Sequence, residues 1–349
     1  MTLARCIASL CALAVALPGC LGAIGGDEIA PEDIALYWYD NELERKRAEA
    51  IEAADPALQR RGRAGVAHVD SMKGYLTGIL SGDTGELGDS GASSAALRAR
   101  YPGRFALLDP RSESVAPLER ALTGAIPRDW SADRARLMYS QVVGQFRQLF
   151  EYRPGTGEVR QLTHGPAVHA DGCYGPDGRN VYAQAEIREG AAHSVIVATQ
   201  PGASPVELSE GPGDYAPACA PDGSAVAWVR ARPRGPDIIM TRIPPWDGEV
   251  RNLGPGRSPS FSPDGQWIVY SAPYQRTKWR LYRIRADGSG RKAIGTSTLD
   301  ELQPTFSPDG TLVAYVADDG FYRRIYVRRF DGTGDRVLLR AGGGEYPVW

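Results

Sequence analysis

The chain has 349 residues, of which 42% are hydrophobic and 23% charged, the composition of a folded globular protein rather than a disordered one. Its formal net charge is −2, so electrostatics gives no reason to expect a nucleic acid or a membrane surface as its partner. Its 41 glycines and 26 prolines exceed average usage and suit a fold with many tight turns.

The N-terminus resembles the signal sequence of a bacterial lipoprotein. Arg5 precedes the apolar run CIASLCALAVAL, which is too short to span a bilayer and has the length of a secretory core. The run ends in LPGC, where cleavage at a lipobox would leave Cys20 as a lipid-bearing N-terminus. We therefore expect a signal peptide at 1–19, a lipid anchor on Cys20 and a tether at 20–30. The alternatives are an ordinary signal peptide and a buried apolar segment.

A small α/β segment is predicted at 31–80. IALYWYD (34–40) has the composition of a strand, and the following NELERKRAEAIEAAD is rich in helix formers. Further along, AGVAHVD is a second predicted strand and SMKGYLTGIL a short helix. The stretch SGDTGELGDSGASS is typical of a flexible linker, which we place at 81–97.

The remainder of the chain repeats one unit. The phrase PTFSPDGTLVAYVAD (304–318) returns upstream as PSFSPDGQWIVYSAP and PACAPDGSAVAWVRA. The aspartates of the repeated turn are Asp133, Asp177, Asp222, Asp264 and Asp309, spaced by 42 to 45 residues. Such a period predicts a repeat architecture, and β-branched and aromatic runs between Gly, Pro and Asp predict strands. We expect Asp177, Asp222, Asp264 and Asp309 to accept hydrogen bonds from nearby backbone amides rather than to bind calcium.

The phrase P-x-F-S-P-D-G followed by an apolar strand resembles the repeat of TolB-type β-propellers, relatives of the WD-repeat propellers. This resemblance implies an all-β fold, a six-bladed β-propeller of four-stranded blades over 98–349, preceded by the small α/β segment. The final EYPVW matches the opening strand of a repeat, whereas 104–124 reads as the second half of a blade. We therefore predict that the strand 346–349 adds to strands from 99–124 and closes the ring.

No catalytic motif is present: the chain has no G-x-S-x-G, H-E-x-x-H, G-x-x-x-x-G-K or C-x-x-C sequence. His164 and His169 flank a predicted loop, and we interpret them as polar loop residues rather than metal ligands. We predict no metal site and no cofactor. Cys173 and Cys219 fall in the innermost strands of successive blades, and because facing sheets lie ~10 Å apart we expect free buried thiols rather than a disulfide.

The residues just before each innermost strand differ from blade to blade and ring one mouth of the channel. Loops on a rigid scaffold commonly carry binding sites. The candidate partner-binding residues are Arg128, Asp171, Asp214, Tyr215, Arg257, Glu301, Gln303, Glu345 and Tyr346. Acids outnumber bases in this ring, which favours a basic peptide or protein segment; ordinary solvated loop charges are the alternative.

These observations predict a lipid-anchored envelope protein whose propeller binds a protein or peptide partner at one channel mouth. Leu21 after the lipidated cysteine favours the outer membrane, by resemblance to lipoprotein sorting in enteric bacteria. The expected partners are a protein or peptide of the cell envelope and, through the anchor, the membrane, with no nucleic acid. Two alternatives remain open: a carbohydrate-active or other hydrolase or lyase using His164, His169 and channel carboxylates, and a structural spacer lipoprotein.

Overall fold

The structure is a computed structural model. It describes residues 33–54 and 102–349, apart from short stretches at 119–121, 123, 176–177, 190, 201–202, 233, 235, 243–248, 276–277, 297, 321 and 341. The expected signal peptide, Cys20, the tether at 20–30, the second half of the 31–80 segment and the linker at 81–97 lie outside these residues. Among the described residues, no helix is long and apolar enough to cross a bilayer.

The described strands form six antiparallel sheets of four strands each, arranged as the blades of a propeller. The predicted six-bladed β-propeller is therefore confirmed. The innermost strand of each blade lines a central cavity.

Blades 1 to 3 each run along the chain from the innermost strand outward. Blade 1 contains β4 (Ile126–Trp130), β5 (Leu137–Val143), β6 (Phe146–Arg153) and β7 (Glu158–Gln161). Blade 2 contains β8 (Val168–Tyr174), β9 (Asn180–Arg188), β10 (Ala191–Thr199) and β11 (Val206–Glu207). Blade 3 contains β12 (Asp214–Cys219), β13 (Val226–Arg230), β14 (Ile238–Arg242) and β15 (Val250–Pro255).

Blades 4 and 5 repeat this order, whereas blade 6 combines both ends of the described chain. Blade 4 contains β16 (Arg257–Phe261), β17 (Trp267–Tyr274), β18 (Lys278–Arg285) and β19 (Lys292–Ala293). Blade 5 contains β20 (Asp300–Phe306), β21 (Leu312–Asp318), β22 (Arg323–Arg329) and β23 (Arg336–Val337). Blade 6 contains β24 (Gly343–Val348), β1 (Ile34–Tyr39), β2 (Arg104–Leu108) and β3 (Val115–Pro117).

The repeated turn joins the first two strands of a blade through a small hydrogen-bond network. In blade 4, Ser262 Oγ donates to Asp264 Oδ1 at 2.5 Å, and Trp267 N donates to Ser262 Oγ at 2.9 Å. Gly265 has φ of 68°, a left-handed conformation that glycine adopts without steric cost. The aspartate also accepts a backbone bond, from Gln266 N at 3.1 Å. The structural role predicted for these turn aspartates is confirmed here.

The hydrophobic core lies between neighbouring blades. The second strand of each of blades 1 to 5 carries one large buried aromatic side chain; these are Tyr139, Tyr182, Trp228, Tyr270 and Tyr315. The largest apolar cluster runs continuously from the strands of blade 2 through blade 3 into blade 4. Packing across the gaps between blades therefore makes each blade depend on its neighbours.

The composition of blade 6 corrects the predicted boundary between an α/β segment and the propeller. β1 was expected to belong to the separate segment at 31–80, but it pairs with β24 on one side and with β2 on the other. The C-terminal strand, at Gly343–Val348 rather than 346–349, shares a sheet with β2 but pairs with β1 and not with β2. The physical reason is that residues 104–117 supply only two strands of a four-stranded blade. The strand β1 is therefore needed between β2 and β24 to pair the backbone groups of β24.

The single described helix, α1 (Asn41–Ala54), follows β1 directly and packs on the propeller. Asp40 caps it, with Oδ1 accepting the Leu43 backbone N–H at 2.9 Å. Arg47 of the helix lies over the Tyr39 ring at 3.7 Å, and Glu44 pairs with Arg324 of blade 5. The helix is therefore attached to the edges of blades 5 and 6.

Cys173 and Cys219 form a disulfide between the innermost strands of blades 2 and 3, so the prediction of free thiols is wrong. Their Cα atoms lie 5.7 Å apart, within the usual disulfide range of roughly 4.4–6.8 Å. The ~10 Å spacing used for the prediction applies to sheets stacked face to face. Propeller blades converge towards their axis, so their innermost strands approach more closely than their outer strands.

Candidate functional site

The candidate site is a cavity of about 360 Å³ on the propeller axis. This volume is near the lower end of the range for small-molecule pockets, roughly 300–1,000 Å³. All six blades contribute to its wall, and one candidate residue from each blade lies there: Arg128, Asp171, Tyr215, Arg257, Gln303 and Tyr346. Six of the nine predicted binding residues are therefore brought together.

A β-bulge interrupts the pairing of each innermost strand at the level of the cavity. In four blades the bulge residue has positive φ and precedes a proline; these residues are Ala216, Ser258, Gln303 and Tyr346, with φ between 46° and 52°. A left-handed non-glycine residue costs about 1–3 kcal/mol, and one before proline normally prefers an extended conformation. The bulge lets consecutive residues face the cavity: Gln303, Pro304 and Thr305 all line it.

The other three predicted residues, Asp214, Glu301 and Glu345, do not line the cavity, and their side chains are fully buried in ion pairs. Asp214 Oδ1 lies 2.7 Å from Arg230 Nε, and Glu301 Oε1 lies 2.6 Å from Arg328 Nη2. These carboxylates face arginines of their own blade instead of the channel.

Glu345 is held by arginines from two other elements. Its Oε1 lies 3.0 Å from Arg47 Nη2 of α1 and 3.1 Å from Arg323 Nη1 of blade 5, and it accepts a hydrogen bond from Tyr39 Oη. The excess of acids that the sequence suggested at this mouth is thus absent from the cavity wall. The physical reason is tertiary packing, which places arginines from a neighbouring strand, another strand of the blade, the helix or the next blade beside these carboxylates.

Arg128 and Asp171 form a buried ion pair across blades 1 and 2. The distance from Arg128 Nη1 to Asp171 Oδ1 is 2.6 Å, and Arg128 Nε donates to Ser140 Oγ at 3.1 Å. The guanidinium also lies 5.2 Å from the centre of the Tyr346 ring of blade 6. Arg128 therefore connects three blades on the cavity wall.

Arg257 is a cavity cation for which the described residues supply no ion pair. The residue is only 2% exposed, and its guanidinium lies 3.7 Å from the centre of the Trp279 ring. It makes no hydrogen bond or ion pair with any described side chain, although the charge of Asp300 lies close enough for the two to interact. Asp300 is itself engaged, because its Oδ1 accepts the Trp279 N–H at 2.8 Å.

Asp129 is a cavity residue that the sequence analysis missed. Its Oδ2 accepts a hydrogen bond from Tyr174 N at 2.8 Å, and burial raises the pKa of its carboxyl to about 7. The same position in the next four blades holds a small residue, namely Cys173, Ala218, Ser260 and Thr305. That difference within the repeat was the available signal.

The described histidines do not line this cavity. His169 lies within β8 rather than in a loop; its Nδ1 is 3.0 Å from Gln148 Oε1 and its ring packs edge-on against Tyr182. Burial lowers the pKa of His169 to about 4. Among the described residues, no three His, Cys, Asp or Glu side chains are grouped as metal ligands.

Comparison with known proteins supports the architecture. No protein-family model matches the chain. The uncharacterized protein Atu1656 of Agrobacterium fabrum is 29% identical over 187 residues, which cover 49% of this chain and 61% of that protein, less than two thirds of its length.

Two solved structures share the fold. The putative TolB from Agrobacterium tumefaciens has a TM-score of 0.56 at 22% identity, covering 68% of this chain and 88% of that one. TolB from Acinetobacter baumannii has a TM-score of 0.60 at 16% identity, covering 76% and 73% respectively. With six four-stranded blades around a central cavity and these two structural matches, the protein has the fold of a TolB-type β-propeller.

Proposed function

We propose that the protein is a binding module of the cell envelope, which holds a segment of a protein partner in the channel of its propeller. The observation that carries this proposal is the cavity itself. All six blades contribute to it, each innermost strand is bulged at its level, and buried polar side chains surround it. Strain and unsatisfied polar groups of this kind concentrate at functional sites.

The proposal assigns binding rather than catalysis to the cavity. The rival hydrolase or lyase interpretation used His164 and His169 with channel carboxylates. His169 is packed inside blade 2 and its lowered pKa keeps it neutral near pH 7, and neither histidine lines the cavity. The polar side chains that do line the cavity are suited to hydrogen bonding and charge recognition.

The envelope location and the lipid anchor belong to the same proposal. They are supported by the lipobox-like LPGC sequence and by the likeness in fold to TolB proteins. Two acyl signals on Cys20 would hold the protein stably on a membrane. A Cys20→Ser variant should move from the membrane to the soluble fraction of cells, whereas equal membrane recovery of both proteins would contradict the anchor.

Partner capture tests the binding proposal. The 21–349 fragment serves as bait in envelope extracts, and Ser260→Trp is compared with it because Ser260 is a half-buried cavity residue and the indole would fill the channel. We expect the variant to lose a partner that the parent fragment recovers. Arg160→Gln, on the exposed outermost strand of blade 1, is the matched control and should recover it. Equal recovery by Ser260→Trp, at unchanged thermal stability, would overturn the proposal.

A further inference from the structure

Several buried polar atoms of the cavity-lining residues have no hydrogen-bond partner among the described residues. The donors among them include Arg128 Nη2, Arg134 Nε, Arg257 Nε and Gln303 Nε2, and Asp171 Oδ2 is an acceptor. Buried polar groups are nearly always satisfied, since an unmade bond costs about 1–3 kcal/mol. Donors outnumber acceptors in this set, which points to a ligand rich in acceptors.

Three of these donors, those of Arg128, Arg257 and Gln303, lie on innermost strands that line the cavity. Gln303 Oε1 accepts the Tyr346 backbone N–H at 2.6 Å, which directs its Nε2 elsewhere, and the Tyr346 ring lies beside the Arg128 guanidinium. Arg257 is on β16, the innermost strand adjacent to that of Gln303. The donors therefore form part of a ring across blades 1, 6, 5 and 4.

The charges of the cavity wall favour an anion. Its charged side chains are the cations Arg128, Arg134 and Arg257 and the acids Asp129 and Asp171. Asp171 neutralises Arg128, whereas Arg257 has no ion-pair partner among the described residues. Near neutral pH Asp129 carries only part of a charge, because burial raises its pKa to about 7.

We propose that the channel contains a carboxylate-recognition site in which Arg257 and Gln303, with Arg128 beside them, donate hydrogen bonds to one carboxylate. Guanidinium and amide N–H groups suit the planar oxygens of a carboxylate. The acidic Asp171 in the same wall disfavours a dianion such as phosphate more strongly than a single carboxylate. This inference deepens the proposed function, because it makes the bound partner segment acidic and not basic. It rests on that function for the statement that the ligand belongs to a protein. A free organic carboxylate shares the chemistry.

Calorimetric titration of the 21–349 fragment tests the site. The probes are a short capped peptide rich in glutamate, its glutamine-substituted twin, its lysine-substituted twin, and free glutarate. We expect the glutamate peptide to bind at least about tenfold more tightly than the glutamine peptide, and more weakly as salt rises. Glutarate binding comparable with the glutamate peptide would identify a free carboxylate as the natural source; tighter peptide binding would identify an acidic segment.

Gln303→Glu is the most specific variant. Glutamate keeps an oxygen that can accept the Tyr346 N–H, but it replaces the Gln303 Nε2 donor with a negatively charged oxygen that repels a carboxylate ligand. This variant and Arg257→Gln should each weaken binding of the glutamate peptide by about tenfold or more, while Arg160→Gln should leave its affinity unchanged. Thermal melting of each variant shows whether it folds. Equal binding of the glutamate and glutamine peptides, or preference for the lysine peptide, overturns the carboxylate site.

The two proposals can fail separately. If Ser260→Trp loses a captured partner but the glutamate and glutamine peptides bind equally, the channel binds protein and the carboxylate site is wrong. If glutamate or glutarate binds and Gln303→Glu abolishes it while envelope extracts yield no partner, the carboxylate site stands and the protein-binding proposal is wrong.

Discussion

At the scale of residues, the buried ion pairs explain why several charged side chains at the start of the innermost strands serve the scaffold. Arg328 is fully buried; its Nη2 donates to Glu301 Oε1 and to Tyr315 Oη at 2.6 and 2.8 Å, and its Nη1 donates to the Ile294 carbonyl. A buried pair adds little net stability, but removal of one partner leaves the other charge uncompensated.

We therefore predict that Arg328→Met lowers the free energy of unfolding by about 3–5 kcal/mol. The double variant Glu301→Gln with Arg328→Met should recover part of that loss, because the fully buried Glu301 charge is removed and only the partly exposed Asp335, 2.8 Å from Arg328 Nε, loses its partner. Urea denaturation of the three proteins measures both effects. A single variant as stable as the parent would contradict the buried pair.

Asp129 gives a prediction for pH. Its pKa is about 7 in the folded protein against an ordinary value of 3.8, so between these values the folded state keeps a proton that the unfolded chain has lost. The contribution of the Asp129 carboxyl to the free energy of unfolding is fully present below about pH 3.8. It is lost progressively as the pH rises through about 7. Compared with Asp129→Asn, the parent should lose up to about 1.4 kcal/mol more stability per pH unit in this window.

The measurement is urea denaturation of both proteins at several pH values from about 5 to about 8. Asparagine retains an oxygen that can accept the Tyr174 N–H, so the variant preserves the local hydrogen bond. Parallel stability curves for the two proteins would show that Asp129 does not titrate in this range.

At the scale of elements, β1 shows how a strand far away in sequence completes a blade. Ile34, Ala35 and Leu36 are completely buried, and both edges of the strand are paired, to β2 and to β24. A further link crosses to blade 1, where Trp130 Nε1 donates to the Val348 carbonyl at 3.3 Å. Closure of the ring therefore depends on β1 as much as on β24.

Removal of residues 1–39 should lower the free energy of unfolding by at least about 5 kcal/mol, since each buried large apolar side chain contributes about 1.5–3 kcal/mol and β24 would lose its partner. Removal of residues 1–32 is the matched control, because it leaves β1 in place. Thermal and urea denaturation followed by circular dichroism distinguish the two truncations. Equal stability would mean that β1 is dispensable.

At the scale of the whole molecule, the propeller is a closed ring whose blades are joined through shared apolar clusters and, between blades 2 and 3, by a covalent link. The Cys173–Cys219 disulfide connects blades 2 and 3 across 46 residues of sequence, beside the cavity. A cross-link over a loop of this length restricts the unfolded chain, by about 2–4 kcal/mol in typical cases.

We predict that replacing both cysteines with serine lowers the free energy of unfolding by about 2–4 kcal/mol. Reduction of the parent protein should reproduce that loss, and the double variant should be insensitive to reductant. Mass measurement after alkylation without reductant confirms the bond directly. Two alkylated thiols in the untreated parent would contradict it.

The sequence by itself determined the repeat, the turns and the number of blades, because Ser-Pro-Asp-Gly turns and alternating apolar strands are local features whose chemistry does not depend on distant contacts. Six of the nine candidate residues, including Arg257 and Gln303, line the cavity, but all nine lie within the innermost strands and not in the loops before them, where the sequence analysis placed them.

Only the tertiary structure decided the position of β1, the pairing of Cys173 with Cys219, and which charges face the channel. Each of these depends on which strands become neighbours when the ring closes. Glu301 and Arg257 lie at the starts of adjacent innermost strands, yet one is neutralised by Arg328 and the other is left without an ion-pair partner among the described residues. The identity of a charged residue is encoded locally, but its partner is set by long-range packing.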